Sequence, residues 1–249
     1  MIEKALSGQR LVQEAGEATS APAGSRSRAD DDDASPALSL NGITKRWGER
    51  VVLDGAELSV DAGASVWISG ENGVGKTTLL RIVAGLISAD GGSISLNGVR
   101  LDKDRRAYQR QVGFLTGGDS GLYARLSVRH NLEFWAGVAF VPRRRRRETV
   151  ARALARFSIE GLASRRVDRL SLGQRQRVRL AMTFLHDPAL VLMDEPSTSL
   201  DDDGLSLLRA AVAEQTARGG VALCCAPSSH DELSLDRAYV LRAGALRLL

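Results

Sequence analysis

Residues 70–78, GENGVGKTT, place a lysine and two threonines behind three glycines. Gly70 and Gly75 are separated by four residues and followed by Lys76 and Thr77, which is the spacing G-x-x-x-x-G-K-[ST]. Glycines let a loop curl so that successive backbone N–H groups point at one anion, although a glycine-rich loop alone is usually only a turn. Because a strand-like run precedes this loop and a helix-like run follows it, the pattern predicts a cradle for nucleotide phosphates.

Each polar residue of this loop has an expected role. The lysine is predicted to reach the β- and γ-phosphates, and the hydroxyl of Thr77 is predicted to ligate Mg²⁺. The residues predicted to contact the nucleotide are Gly70, Asn72, Gly73, Gly75, Lys76, Thr77 and Thr78.

A second candidate site is the apolar run ALVLMDEP, residues 189–196, which ends in two acids. In an open parallel sheet the ligand lies beyond the carboxyl ends of the strands, so these acids are expected to face the cradle. Asp194 is predicted to hold Mg²⁺, directly or through water, opposite Thr77, and Glu195 to polarise the water that attacks the γ-phosphorus. Two acids can also merely end a strand, but the phosphate loop far upstream favours catalysis.

The composition is that of an ordinary globular chain. Its 249 residues are 43% hydrophobic and 26% charged, enough for one domain with a full core. No apolar run approaches the roughly 18 to 20 residues that cross a bilayer, and the first residues are charged, unlike a signal peptide, so we expect a cytosolic protein. The adjacent Cys224 and Cys225 lie in an apolar run and are expected to be buried strand residues.

The net charge is +4, and much of the excess lies in the five arginines of residues 143–147. These arginines open a probable helix, and a solvated helix face is favoured over contact with phospholipid or nucleic acid. We therefore expect no nucleic-acid partner.

The order of the elements predicts an α/β fold. Residues 1–37 mix Ala, Ser, Pro and a run of four aspartates, and are expected to form a disordered tail. From residue 38 onward, short apolar runs alternate with helix-like segments, and a helix-rich stretch separates two groups of strands. This alternation indicates a parallel sheet covered by helices and interrupted by a helical insert.

Between the two candidate sites lies the sequence RLSLGQRQRVRLAMTFLHDP, residues 169–188, which resembles the signature sequence of ABC-type ATPases. The resemblance covers residues 38–249 and implies a P-loop NTPase with an ABC ATPase-type core, a β-subdomain and a helical subdomain at about residues 120–180. By resemblance, Trp47 stacks on adenine, Asp201 is the acid of the D-loop, and His230 is the switch histidine that contacts the γ-phosphate.

The signature itself implies a dimer. The hydroxyl of Ser171, the N–H of Gly173 and the start of the following helix, with Gln174, make a second anion site that cannot reach the γ-phosphate bound by its own chain. The resemblance thus implies two ATP molecules held head to tail between two ATP-binding subunits, either identical or different.

Two positions depart from the pattern of the family. Leu172 stands in the signature where glycine is usual, and we expect it to weaken contact with the γ-phosphate. Thr116 or Gly117 stands where the glutamine of the Q-loop is expected. The surrounding sequence resembles sodium- and drug-efflux exporters of the ABC-2 type, and the compact core is similar to the ATPase subunit of the haem exporter of cytochrome c maturation.

Three functional hypotheses follow. The first, which we favour, is an ATP-hydrolysing motor of an exporter, peripheral to the cytoplasmic face of the plasma (inner) membrane and working on a separate transmembrane permease subunit. The second is a non-transport ABC-type ATPase of iron–sulfur assembly, DNA repair or the ribosome. The third is a module that binds ATP but hardly hydrolyses it, which the presence of Glu195 disfavours.

Overall fold

The computed structural model describes residues 35–118, 121–226, 233 and 235–249. Short apolar runs separated by turns form its strands, as their spacing predicts. The strands are β1 (Leu38–Trp47), β2 (Arg50–Val60), β3 (Ser65–Ser69), β4 (Gly91–Leu96), β5 (Val99–Arg100), β6 (Val112–Leu115), β7 (Leu190–Asp194), β8 (Val221–Cys225), β9 (Arg237–Arg242) and β10 (Ala245–Leu248).

The strands of the described residues form two sheets of different kinds. The larger has the order β10-β9-β3-β8-β7-β6 and is parallel except for β10, which pairs antiparallel with β9. Every residue of its central strands β3, β7 and β8 is buried, because layers of the fold cover both faces. The smaller sheet is antiparallel, with the order β2-β1-β4-β5.

Polar side chains cap most of the helices in the described part of the chain. Asp104, Ser127, Ser171 and Asp201 each accept a hydrogen bond from a backbone N–H of the helix that they precede, which satisfies an otherwise unpaired donor. The helices are α1 (Lys76–Val83), α2 (Arg105–Gln109), α3 (Val128–Val138), α4 (Arg143–Arg156), α5 (Leu172–Thr183) and α6 (Asp202–Ala217), with short 3-10 helices at Glu160–Leu162 and Val167–Arg169.

Two hydrophobic cores lie on opposite faces of the larger sheet. Strand β7 illustrates the division: Leu190 and Leu192 belong to the core shared with α1 and the smaller sheet, whereas Val191 and Met193 belong to the core shared with α3, α4, α5 and α6. Successive side chains of a strand point to opposite faces, so a fully apolar strand can serve both cores. The larger sheet is thereby fixed in place between two layers.

The predicted α/β fold is confirmed, with differences in detail. The strand-like stretch at residues 92–101 is a hairpin of β4 and β5, because Asn97 and Gly98 have φ angles of 48° and 76° and turn the chain. Helix α2 was not predicted. Cys224 and Cys225 are buried in β8, as expected.

The predicted tail falls almost wholly outside the described residues, which begin at residue 35. Ala37 is buried, and its carbonyl accepts a hydrogen bond from the N–H of Asn97 at 2.7 Å. Helices α3, α4 and most of α5 lie in the stretch for which a helical subdomain was predicted. None of the helices in the described residues is both long and apolar enough to span a bilayer.

Helix α2 is anchored to α1 by a buried tyrosine. Tyr108 is 0% exposed, its hydroxyl donates to the carbonyl of Val83 at 2.9 Å, and burial raises the pKa of this hydroxyl. We expect Tyr108→Phe to lower the free energy of unfolding by about 1 to 2 kcal/mol in a urea titration, because the variant leaves a carbonyl without its partner. Tyr123→Phe, at an exposed position, is the matched control; equal effects of the two variants would contradict this account.

Candidate active site

The loop between β3 and α1 has the backbone that a phosphate cradle requires. Gly70, Gly73 and Gly75 have φ angles of 151°, 76° and 120°, which residues with a side chain rarely adopt. Space is also short: a Cβ at Gly70 would lie 2.8 Å from the carbonyl oxygen of Leu241, and one at Gly75 would lie 2.7 Å from Cγ1 of Val52. Glycine is therefore needed at both ends of the loop for conformation and for close packing.

A lysine and an arginine brace this loop from two sides. Lys76 is buried, and its ammonium donates to the carbonyls of Gly70 at 2.6 Å and Glu71 at 3.1 Å. From β2, the guanidinium of Arg50 donates to the carbonyl of Gly73 at 2.7 Å, a contact that the sequence analysis missed. Gly75 is the N-cap residue of α1 and provides no side-chain cap for the first N–H groups of this helix.

Thr77 and Asp194, 117 residues apart in the chain, meet at the carboxyl edge of the larger sheet. The Thr77 hydroxyl donates to Oδ2 of the buried Asp194 at 2.7 Å. Gly117, which follows β6, lies against the same carboxylate, because a Cβ there would be 3.4 Å from Oδ2 of Asp194. The segment of the expected Q-loop is therefore beside the predicted metal ligand, although it contains no glutamine.

This pair fits Mg²⁺ in its choice of donors. Mg²⁺ is commonly held by one or two carboxylates, with phosphate and water oxygens completing its octahedron. The described residues contain no cluster of three His, Cys, Asp or Glu side chains that could form an all-protein cage. A carboxylate and a hydroxyl in hydrogen-bonding contact next to a phosphate loop are consistent with the first arrangement.

Glu195 occupies an unusual backbone conformation directly after Asp194. Its φ angle is 50°, and this left-handed region costs a residue with a side chain about 1 to 2 kcal/mol. Two hydrogen bonds hold the turn: the N–H of Glu195 donates to the carbonyl of Cys225 at 2.8 Å, and the N–H of Thr198 donates to the carbonyl of Glu195 at 3.3 Å. The carboxylate thus stands exposed at the edge of the sheet, immediately after a buried one.

The signature residues form the start of α5. The Ser171 hydroxyl accepts from the N–H of Gln174, and the Gln174 side chain accepts from the N–H of Ser171, both at 3.2 Å, which makes a capping box. A Cβ at Gly173 would lie 2.9 Å from the carbonyl oxygen of Ser199, so glycine permits close contact with the predicted D-loop. Leu172 is 57% exposed at the same helix end.

Asp201 and Trp47 occupy exposed positions with specific partners. Asp201 caps α6 and pairs with the Arg177 guanidinium at 2.6 Å, which lowers the pKa of its carboxyl together with the hydrogen bond from the N–H of Gly204. Sequence analysis did not identify Arg177. Trp47, at the end of β1, is 53% exposed, and the ammonium of Lys45 lies 4.7 Å from its ring centroid.

The structure thus brings together the loop glycines with Lys76, and Thr77 with Asp194 and Gly117, while the signature contacts the D-loop segment. His230 lies outside the described residues.

A glycine loop between a strand and a helix, facing an acidic pair at the end of a neighbouring parallel strand, defines a P-loop ATPase. The family model described as "ABC transporter" matches residues 53–198, more than half of the chain. The chain belongs to the ABC transporter family, and the resemblance found in its signature is confirmed.

Similar proteins agree with this assignment. The chain is 36% identical over 204 residues to the cytochrome c biogenesis ATP-binding export protein CcmA of Rhodobacter capsulatus, covering 82% of this chain and 86% of that protein. It is 35% identical over 152 residues to the ABC transporter ATP-binding protein NatA of Bacillus subtilis; that match covers 61% of this chain and 62% of NatA, less than two thirds of its length. A solved ATP-binding subunit of an ABC transporter superposes with a TM-score of 0.77 at 27% identity, covering 86% and 90% of the two chains.

The family assignment makes this chain an ATP-hydrolysing subunit of the ABC transporter class. The names of the relatives are those of transporter subunits, with both export and import proteins among them, and they do not favour the non-transport alternative.

Lys76 is the cation of the cradle, and its removal tests the cradle directly. We expect Lys76→Ala to raise the dissociation constant for ATP by about 10- to 100-fold in calorimetric titration, because a charge-assisted contact with phosphate is lost. Lys103→Ala, which removes an exposed lysine of a surface turn, is the matched control. Equal affinities of the two variants for ATP would show that Lys76 does not bind the nucleotide.

Proposed function

We propose that this chain drives a membrane exporter by binding and hydrolysing Mg·ATP, as one of two ATP-binding subunits on a separate transmembrane permease subunit. It would act at the cytoplasmic face of the plasma (inner) membrane as a peripheral subunit. The observation that carries the catalytic part is the 2.7 Å hydrogen bond between Thr77 and Asp194, which joins the phosphate loop to the acidic end of β7.

Each residue of the site has a role in this proposal. The N–H groups of the loop from Gly70 to Thr78, together with the Lys76 ammonium, bind the phosphates, and the exposed ring of Trp47 stacks on adenine. Thr77 and Asp194 would hold Mg²⁺, and the ion, when bound, would neutralise phosphate charge. Glu195, as general base, orients and polarises the attacking water. His230 is proposed to contact the γ-phosphate.

The signature is proposed to complete the site of a second ATP-binding subunit. The exposed Ser171 and the half-buried Gly173 and Gln174 form the start of α5, whose N–H groups and helix dipole favour an anion. Leu172 is exposed among them, so its side chain lies on the surface that would meet the second subunit, and not in the interior. The Asp201–Arg177 pair holds the D-loop next to this surface, since Arg177 belongs to the same helix.

A groove of about 660 Å³ lies between α2, β6, α3 and α5 and supports the proposal of a transmembrane partner. On its wall Phe140 is 52% exposed and has a φ angle of 58°, a costly conformation for an aromatic residue. The guanidinium groups of Arg106 and Arg110 lie 4.9 Å and 4.6 Å from its ring centroid and brace it there. An exposed aromatic ring kept in a costly conformation on the wall of a groove is typical of a binding surface, and we assign the groove to a cytoplasmic segment of the permease.

The direction of transport is proposed from the similarity of this chain to other proteins. The stretch around residues 113–135 resembles efflux ATPases, and CcmA is named as an export protein, whereas another relative of similar identity is named for import. Because the transported molecule binds the permease, the residues described above do not determine the chemical class of that molecule.

Replacement of the proposed base separates catalysis from binding. We expect Glu195→Gln to slow steady-state ATP hydrolysis by on the order of a hundredfold or more while the affinity for ATP stays within about twofold. The same variant should form an ATP-dependent dimer in size-exclusion chromatography, because nucleotide closes the interface and hydrolysis no longer opens it. Dimer formation with normal turnover would exclude Glu195 as the base, and Glu214→Gln, on the outer surface of α6, controls for loss of an acid.

The groove can be tested with the tagged Glu195→Gln chain purified from gently solubilised membranes in ATP. We expect a protein with several membrane spans to copurify, and we expect Phe140→Asn to lose it, because asparagine tolerates a positive φ while the ring is removed. Leu248→Asn changes an exposed apolar residue of β10 and serves as the matched control. Copurification of a ribosome, a DNA-repair complex or a soluble assembly factor would overturn the transporter proposal.

A further inference from the structure

A buried arginine lines the groove and reaches towards the active site. Arg179, on α5, is 5% exposed. Its Nη1 donates to Oε1 of Gln176 at 2.7 Å, and its Nη2 donates to the carbonyl oxygen of Thr116 and lies 3.4 Å from the Thr116 hydroxyl. Burial of a guanidinium costs free energy that hydrogen bonds only partly repay, so a buried arginine is weak evidence for stability and points to another use.

The first contact of Arg179 leads to the metal side of the site. Thr116 directly follows β6 and precedes Gly117, which lies against the carboxylate of Asp194. Because Arg179 holds the backbone carbonyl of Thr116, it sets how closely this segment approaches Asp194, whose Oδ2 also accepts the hydrogen bond of Thr77.

The second contact leads to the base side. Gln176, which is buried, accepts from Arg179 through Oε1 and donates through Nε2 to the carbonyl of Pro196 at 2.8 Å. Pro196 follows Glu195, whose left-handed backbone is anchored on its other side by Cys225. A shift of Pro196 would therefore turn the backbone that aims the Glu195 carboxylate.

We infer that Arg179 is a positioning residue for ATP hydrolysis, which ties the wall of the groove to both the metal side and the base side of the active site. A segment bound in the groove contacts the wall that this guanidinium supports. If the wall moves, the contact of Arg179 with Thr116 transmits the displacement towards Asp194, and its contact with Gln176 transmits it towards Glu195. This inference rests on the proposed function, because the coupling acts on ATP hydrolysis.

The sharpest test is Gln176→Glu. The carboxylate keeps an acceptor for Arg179 but has no N–H for the Pro196 carbonyl. The variant therefore removes only the hydrogen bond to Pro196, on the side of Glu195, and leaves the buried guanidinium paired. We expect kcat for ATP to fall about tenfold, with KM and the affinity for ATP changed by less than about twofold, because the phosphate cradle is untouched.

Arg179→Met removes the hydrogen bonds to both Thr116 and Gln176 with a side chain of similar length. We expect a larger fall in kcat than Gln176→Glu gives. Gln215→Glu is the matched control: Gln215 is also buried, and its side-chain amide also donates to a proline carbonyl, that of Pro188, but neither residue lines the groove. We expect the control to hydrolyse ATP like the unsubstituted chain, with melting temperatures recorded for all three variants.

The outcomes are distinct. A normal kcat in Gln176→Glu overturns the inference, and so does a parallel loss of kcat, ATP affinity and melting temperature, which would indicate a merely structural role. If Arg179→Met does not fold, Gln176→Glu alone decides. Absence of turnover in the unsubstituted chain would instead overturn the proposed function, and the inference with it.

Discussion

One hydrogen bond, from Thr77 to Asp194, joins the two parts of the site on which the chemistry depends, the phosphate loop and the acidic end of β7. Thr77 belongs to the first turn of α1, and Asp194 ends β7, two strands away from β3 in the parallel sheet. Both are held there because parallel strands end at a common edge, and because each face of the sheet is covered by a core of its own. The loop glycines, the strained turn at Glu195 and the segment after β6 all lie around this contact.

Residues whose role is local were readable in the sequence. The loop spacing and the acids after an apolar strand are each defined within a few residues, so the pattern alone predicted them. The capping box at Ser171 is equally local but was not predicted. The turn at Asn97 and Gly98 was also present as an Asn-Gly pair but was read as part of one strand. Helix α2 has only five residues, too few for a periodic signal.

The arginines that support the site could not be predicted in the same way. Arg50 contacts a residue 23 positions away, Arg177 one 24 positions away, and Arg179 one 63 positions away. A charged residue on a helix or strand is expected at the surface, and only the folded chain reveals that Arg179 is buried. Such supporting contacts depend on tertiary geometry, which composition and periodicity do not encode.

The missing cap of α1 has a consequence for the lifetime of the protein. Helices α2, α3, α5 and α6 have capping side chains, whereas Gly75 and Pro142, the N-cap residues of α1 and α4, provide none. A glycine N-cap is weaker than a capping side chain by only about a few tenths of a kcal/mol. The N–H groups at the start of α1 adjoin the phosphate loop, so a bound phosphate stabilises this helix end to an extent that depends on ligand concentration. When nucleotide is scarce the chain loses this stabilisation, so a larger fraction of it is unfolded and open to proteolysis.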